Sequence, residues 1–288
     1  LNPVRKTSAE HNYGIIRIKE KETVDMKNNK CIIPKICGAV SGRTAEAFRK
    51  QFMEAEKYKI EIIEWRLDSM VDTYESFKPE KESIKACIEM LRETKKQVIL
   101  TLRSVKEGGF FKGNTKEYFE ILMEMDALFD FGMIDIEYAR WIEHTAGFVG
   151  ELPGNGGNRI VSHHDFERVP ESSEILALFG KMAGLDAAFV KGAFMAKDFS
   201  DTLRLMEVAL DFNREYPERK LIYMAMGEAG MTSRILTGEA ASAITYGSVD
   251  TKVPTAPGQL DLGTLTEILN LQRTGIQGEA SILPKFKL

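Results

Sequence analysis

The chain has 288 residues, 43% hydrophobic and 28% charged, the composition of an ordinary globular protein long enough to bury a large core. Its formal net charge of −4 supplies no general attraction for nucleic acid or anionic lipid, so neither is an expected partner. No apolar run reaches membrane-spanning length, and the polar opening "LNPVRKTSAEHNYG" is unlike a signal peptide; Cys31, Cys37 and Cys87, without metal-ligand spacing, suit free thiols in a reducing cytoplasm.

In chain order, residues 13–26 ("YGIIRIKEKETVDM") alternate like a β-hairpin. Strand-like runs follow at 33–40, 60–66, 97–103, 132–138, 159–164, 187–192, 221–226 and 241–247, several rich in Ile and Val and all too short for helices. Between them lie amphipathic runs. Ala45, Phe48, Phe52, Ala55 and Tyr58 make one stripe across 44–58, and Ile84, Ile88 and Leu91 do so across 81–96. Further helices are expected at 115–131, 170–184, 201–216 and 260–275, with Pro170 at a helix start, while 139–149 and 231–240 leave room only for short ones.

Eight strands alternating with helices imply a parallel sheet. Right-handed crossovers and this length favour an α/β fold closed as a single (β/α)8 TIM barrel over an open doubly wound sheet. No G-x-G-x-x-G follows the first strand, which weighs against the open alternative. The expected layout is one domain over 1–288: an extension and hairpin capping the barrel bottom (about 1–30), the barrel (about 31–275) and a tail (276–288).

Active-site groups of such barrels sit at the C-terminal strand ends, and here the polar residues collect at those ends. Strand two ends in Glu64, Arg66 and Asp68, and strand three in Thr101 and Arg103, with Glu107 just beyond. Strand four carries Asp135 and Glu137, strand five His163 and His164, and strand six Lys191 inside the apolar tract "DAAFVKGAFM". Strand alternation puts Glu64 with Arg66 on one face and Asp135 with Glu137 on one face, and lets only one of the adjacent histidines point inward. Taken singly, the charged pairs fit barrel ion pairs as well as function. Together, a lysine with apolar sequence neighbours, a histidine base, an orienting acid and arginines at Arg66, Arg103 and Arg234 spell Schiff-base chemistry on a small, hydroxylated, anionic keto compound. The apolar flanks of Lys191 would favour its neutral, nucleophilic amine. Spacing alone leaves C–O and C–C cleavage both open.

Seven motifs, "IIEWRLD", "LTLRSVKEGG", "MIDIEY", "VSHHDF", "FVKGAFM", "GMTSRILTGE" and "PTAPGQL", occur in that order between Ile62 and Leu260. With them the chain resembles the type I 3-dehydroquinate dehydratases of the shikimate pathway, from about Pro34 to Thr274. The resemblance implies dehydration of 3-dehydroquinate to 3-dehydroshikimate through a lysine imine, with no metal or organic cofactor, in a cytoplasmic enzyme commonly homodimeric. It places Lys191 at the imine position, His164, the histidine directly before "DF", as acid and base, and Glu107 as its paired acid. Glu64, Arg66, Arg103, Arg234, Thr255 and Gln259 match substrate-binding positions, Arg234 as the carboxylate clamp, and 248–259 matches a mobile lid. Where some members carry serine at the end of the first strand, this chain has Ala39, with Ser41 two residues on.

Three rival readings have distinguishing features. A class I aldolase or transaldolase also uses a barrel lysine imine but gives no reason for the histidine and lid motifs. A metal-dependent barrel could recruit Glu64, Asp135, Glu137 and His164, although Arg66, Arg103 and Lys191 would crowd the same mouth with positive charge. A non-catalytic dehydroquinate-sensing barrel predicts a missing lysine or histidine, and both are present.

Overall fold

Eight parallel strands form one sheet in the order β7-β6-β5-β4-β3-β2-β1-β8 in the computed structural model, which describes residues 32–147, 151–250 and 255–282. The strands are β1 (Lys35–Val40), β2 (Ile62–Arg66), β3 (Gln97–Thr101), β4 (Met133–Glu137), β5 (Arg159–Asp165), β6 (Phe189–Met195), β7 (Lys220–Met226) and β8 (Ile244–Ser248). Helices alternate with them: α1 (Ala45–Glu56), α2 (Tyr74–Phe77), α3 (Lys81–Arg92), α4 (Thr115–Leu128), α5 (Tyr138–Gly147), α6 (Ser172–Ala183), α7 (Phe199–Glu215), α8 (Met231–Ile235) and α9 (Leu262–Ile282). This is the (β/α)8 barrel expected from the alternation of runs. The expected hairpin at 13–26 lies outside the described residues.

The curling sheet returns on itself between β7 and β8, where a regular ladder gives way to two bonds. Ala243 N–H donates to Leu221 O at 2.7 Å, and Tyr223 N–H donates to Ser242 Oγ at 3.1 Å. The five-residue α8 sits over this seam, its Arg234 carbonyl accepting from Thr245 Oγ1 at 2.8 Å.

Alternation along each strand divides two cores. Outward residues such as Ile63, Trp65, Leu100, Ile136, Val190 and Phe194 pack against the helices, whose stripes supply Phe48, Phe52, Ile84, Leu91 and Leu122. Inward residues at the strand starts, including Cys37, Ile62, Ile99, Met133, Ile160, Ile222 and Ile244, fill the barrel itself. One step further along the same faces the residues turn polar: Glu64, Thr101, Asp135, Ser162 and Lys191 are all buried. The apolar lower layer thus forms the floor of a charged upper layer.

Several boundaries differ from the sequence reading for identifiable reasons. Helix α6 begins at Ser172 after an extended Glu171, so Pro170 precedes the helix instead of opening it. Strand β8 begins at Ile244, three residues late, because Ser242 turns its hydroxyl onto Ile244 O and Tyr223 N–H at the seam. Helix α9 continues to Ile282, beyond the expected 275.

Candidate active site

One cavity at the C-terminal mouth is lined by Glu64, Arg66, Arg103, Glu107, His164, Lys191, Arg234, Thr255 and Gln259, the nine candidates named from sequence, together with Phe166, Met224, Met226 and Tyr246. Strand register brings the first of these together. Ser162 of β5 pairs with Lys191 of β6, and His164 with Ala193, so His164 and Lys191 share the inward face of adjacent strands.

Lys191 is 3% exposed, and its surroundings correct the sequence reading. Its immediate apolar neighbours do not line its pocket: Val190 and Phe194 belong to the outer core, and a Cβ on Gly192 would meet Phe179 of α6 at 2.5 Å, while Ala193, one inward step on, is the residue of the tract that does reach the cavity. Alternation sends residues 190, 192 and 194 to the helices and the lysine inward. There Nζ donates to Asp135 Oδ2 at 2.9 Å, stands 3.7 Å from Glu64 Oε1, and lies 4.5 Å from the centre of the Tyr246 ring. Two carboxylates and an aromatic face are thus the near neighbours of the nitrogen.

Arg103 is the hub of the β2–β5 side. Its Nη2 donates to Asp135 Oδ1 at 2.8 Å, and its Nη1 reaches Ser162 Oγ at 2.9 Å, Glu137 Oε1 at 3.3 Å and Glu107 Oε2 at 3.4 Å. Burial works to raise the Asp135 carboxyl, but the Arg103 guanidinium and Lys191 ammonium overcome it and hold it at about 2. Glu137 also accepts from Ser104 N–H at 2.7 Å, and Glu64 from Thr101 Oγ1 at 2.9 Å. The three acids and the histidine weighed as metal ligands, Glu64, Asp135, Glu137 and His164, are therefore each engaged with protein donors or with Glu107. Nor do Glu64 and Arg66 pair with one another. Arg66 turns to Asp68 in a two-bond fork at 2.9 Å each, because the tight turn after β2 folds Asp68 back over the strand end.

The loop after β3 delivers Glu107. Phe111 N–H returns to Arg103 O at 3.0 Å and Gly109 N–H to Ser104 O at 2.8 Å, closing the loop over Arg103. Gly108 adopts φ +80°, and a Cβ on Gly109 would lie 2.1 Å from Arg103 O, so the paired glycines of "KEGG" are required by this turn. Curled in this way, Glu107 Oε2 meets His164 Nδ1 at 2.8 Å. His163 faces the other way, its ring 6.0 Å from that of Phe194 in the outer core.

The His164–Glu107 pair is biased against separated charge. Burial pushes the imidazole well down, helped by Arg103 and Lys191, and burial pushes the Glu107 carboxyl well up, helped by Glu137. At 2.8 Å the protonation of either group bears directly on the other. When the pair holds one proton, placed on Nδ1 and donated to the carboxylate, Nε2 has a free lone pair.

The β6–β8 side is different. Arg234 is 1% exposed, donates to Pro257 O at 3.1 Å and lies 3.8 Å from Met224 Sδ, and its Nε is buried without a hydrogen-bond partner. No carboxylate pairs with it among the described residues, and burial alone lowers its guanidinium to about 10. Thr255 and Gln259 close this side, with Thr255 N–H and Oγ1 donating to Gln259 Oε1 at 3.0 and 2.8 Å. The expected lid spans 248–259, of which 251–254 lie outside the described residues. Ala39 ends the inward row of β1 but does not line the cavity, and Ser41 N–H donates to Gln51 Oε1 at 2.7 Å.

Several wall residues, among them Phe166, Tyr246, Met224 and Met226, were not among the sequence candidates. Phe166 stands in the quoted "HHDF", and Tyr246 follows Ile244 by one inward step on β8, so alternation could have found it. Met224 and Met226 occupy inward positions of β7 by the same count.

The type I 3-dehydroquinase family model matches residues 36–275. The 3-dehydroquinate dehydratase of Escherichia coli (strain K12) is 31% identical over 243 residues, covering 83% of this chain and 92% of that protein. That of Alkaliphilus oremlandii is 31% identical over 239 residues, covering 82% and 91%. Among solved structures, the type I 3-dehydroquinate dehydratase of Clostridium difficile, with covalently modified comenic acid, aligns with TM-score 0.69 and 27% identity over 84% of this chain and 93% of that one. The Enterococcus faecalis enzyme aligns with TM-score 0.65 and 26% identity over 83% and 94%. The matched span runs from the second residue of β1 through β8 and includes the lysine of β6 and the histidine–glutamate pair, and the chain belongs to the type I 3-dehydroquinase family.

Proposed function

We propose that this chain is a 3-dehydroquinate dehydratase of the shikimate pathway, converting 3-dehydroquinate to 3-dehydroshikimate and water through an imine at Lys191. The observation that carries the reading is the convergence of a buried lysine, a histidine–carboxylate pair and a buried arginine without a counter-charge on one cavity.

The deprotonated Lys191 amine attacks the substrate ketone, and the carbinolamine loses water to give the iminium. That cationic nitrogen draws electrons from the adjacent carbon, so a proton there becomes removable. His164 Nε2 takes it, with Nδ1–H held by Glu107, and an enamine forms. The same imidazolium then returns its proton to the departing hydroxyl, which leaves as water as the enamine electrons flow back. Water hydrolyses the remaining imine and frees Lys191. Arg234 clamps the substrate carboxylate, gaining the counter-charge it otherwise lacks. Glu64, Arg66, Arg103, Thr255 and Gln259 meet the hydroxyls and ketone, and closure over 248–259 keeps water from the imine. In the cell the enzyme is a cytoplasmic homodimer in this reading, drawn from the family resemblance; no helix among the described residues is long and apolar enough to cross a membrane.

Sodium borohydride added with 3-dehydroquinate should fix a reduced adduct on the peptide containing Lys191, read by mass spectrometry. Lys191→Ala should yield no adduct and no turnover. An unmodified Lys191 peptide in the wild type would defeat the imine route.

A further inference from the structure

Asp135 takes no step in the dehydration just described, yet it is 1% exposed and both its oxygens are engaged. Oδ2 accepts from Lys191 Nζ at 2.9 Å, while Oδ1 accepts from Arg103 Nη2 at 2.8 Å and from Ser162 Oγ. Arg103 continues through Nη1 to Glu107 Oε2 at 3.4 Å, and Glu107 meets His164 Nδ1 at 2.8 Å. An unbroken polar path therefore joins the nucleophile to the base, crossing β6, β4, β3 and β5.

We propose that Asp135 is a positioning residue that holds the Lys191 nitrogen at the cavity floor and, through Arg103, sets the proton affinity of the His164–Glu107 pair. Two features separate this from a plain barrel ion pair. First, the carboxylate divides its oxygens between two cations that belong to different halves of the reaction. Second, the Arg103 donor nearest the pair is shared. Nη1 reaches Ser162, Glu137 and Glu107 at 2.9, 3.3 and 3.4 Å, so whatever loosens its hold on one acceptor strengthens it on the others.

The sign follows from the charges around the pair: Arg103 of the β3 end, Asp135 and Glu137 of β4, Lys191 of β6, His163 of β5 and Arg66 of β2. Removing the Asp135 charge takes away an anion and frees Arg103 to face Glu107. Both changes favour the one-proton form, so the pair should lose its proton at lower pH. The effect on turnover rests on the dehydratase reading; the effect on the pair does not.

The test is a histidine ¹⁵N NMR titration of the substrate-free protein, alongside steady-state kinetics and borohydride trapping with 3-dehydroquinate. In Asp135→Asn the His164 midpoint should fall by about one pH unit, a tenfold loss of proton affinity. The kcat should fall about a hundredfold with KM changed far less, as a misplaced nucleophile predicts. Ser162→Ala keeps the carboxylate but releases Nη1 toward Glu107, so its midpoint should fall by about a third of that. It carries the test alone should the asparagine variant not fold. A midpoint that stays put or rises would overturn the coupling, and an unchanged kcat in Asp135→Asn would overturn the positioning role. A shifted midpoint without any wild-type adduct would sink the dehydratase reading and leave the coupling standing.

Discussion

Arg103 and Arg234 are both buried at the same mouth, 3% and 1% exposed, in opposite settings. Arg103 on the β2–β5 side meets Asp135, Glu137, Glu107 and Ser162, and its charge is neutralised within the protein. Arg234 on the β7–β8 side meets a carbonyl and a thioether sulfur. The contrast separates a side that is built from a side that waits. The acids of β2 and β4 can be buried because Arg103 and Lys191 are there, and the resulting lattice fixes lysine and histidine before any substrate arrives. A lone buried guanidinium has no such compensation. Lowered to about 10, it costs folding on the order of 3 kcal/mol at neutral pH, and that cost lifts only as pH rises through about 10, where the side chain can shed its proton in the folded state. Stability is given up where an anionic ligand must supply the missing partner.

Substitutions at the two arginines should therefore diverge. Arg103→Met leaves three buried carboxylates short of their cation and should destabilise the fold by about 3–5 kcal/mol in urea unfolding at neutral pH. In the wild type the depressed Asp135 carboxyl contributes stability above its unfolded range, and this is lost as pH falls through about 2. The stability curves of variant and wild type should then converge in acid. Equal stability at pH 7 would break the view of this side as a charge-balanced scaffold. Arg234→Met should do the reverse, leaving stability unchanged or higher. Its kcat/KM for 3-dehydroquinate should drop about ten- to a hundredfold, the value of charge-assisted hydrogen bonds to a carboxylate. A strongly destabilised Arg234→Met with unimpaired kcat/KM would assign that guanidinium to the scaffold as well.

The same contrast explains what was legible beforehand. Strand ends and helix stripes follow from local periodicity, so the barrel and the charged residues at its strand ends could be read from single segments, whereas Thr255 and Gln259 came from the family resemblance alone. Which charges pair could not, because pairing is set by register and turns. Asp135 lies 56 positions from Lys191, and only the β4–β5–β6 ladder brings them together. Alternation places Arg66 on the face of Glu64, but the turn after β2 gives it Asp68 as its partner. The "DAAFVKGAFM" tract is ambiguous for the complementary reason: neighbours in sequence on a strand point to opposite faces, so Val190, Gly192 and Phe194 serve the helices while Phe189, Ala193 and Met195 stay on the lysine's side.

The smallest effect is expected at Tyr246, the other orphan of the waiting side. Its hydroxyl is buried without a hydrogen-bond partner, while its ring faces Lys191 Nζ at 4.5 Å. If the ring alone matters, Tyr246→Phe keeps the aromatic face against the cation and removes an unsatisfied polar atom. Stability should then rise by about 1 kcal/mol or less, with kcat/KM within about twofold of wild type. If the hydroxyl is instead held for a ligand, as the Arg234 guanidinium is, the phenylalanine variant should gain the same stability yet lose tenfold or more in kcat/KM. Unfolding and kinetics on this one variant thus decide between a wall and a second unsatisfied donor. A loss of stability would mean the hydroxyl has a partner after all, and Arg234 would be the one buried polar group at this mouth left open for substrate.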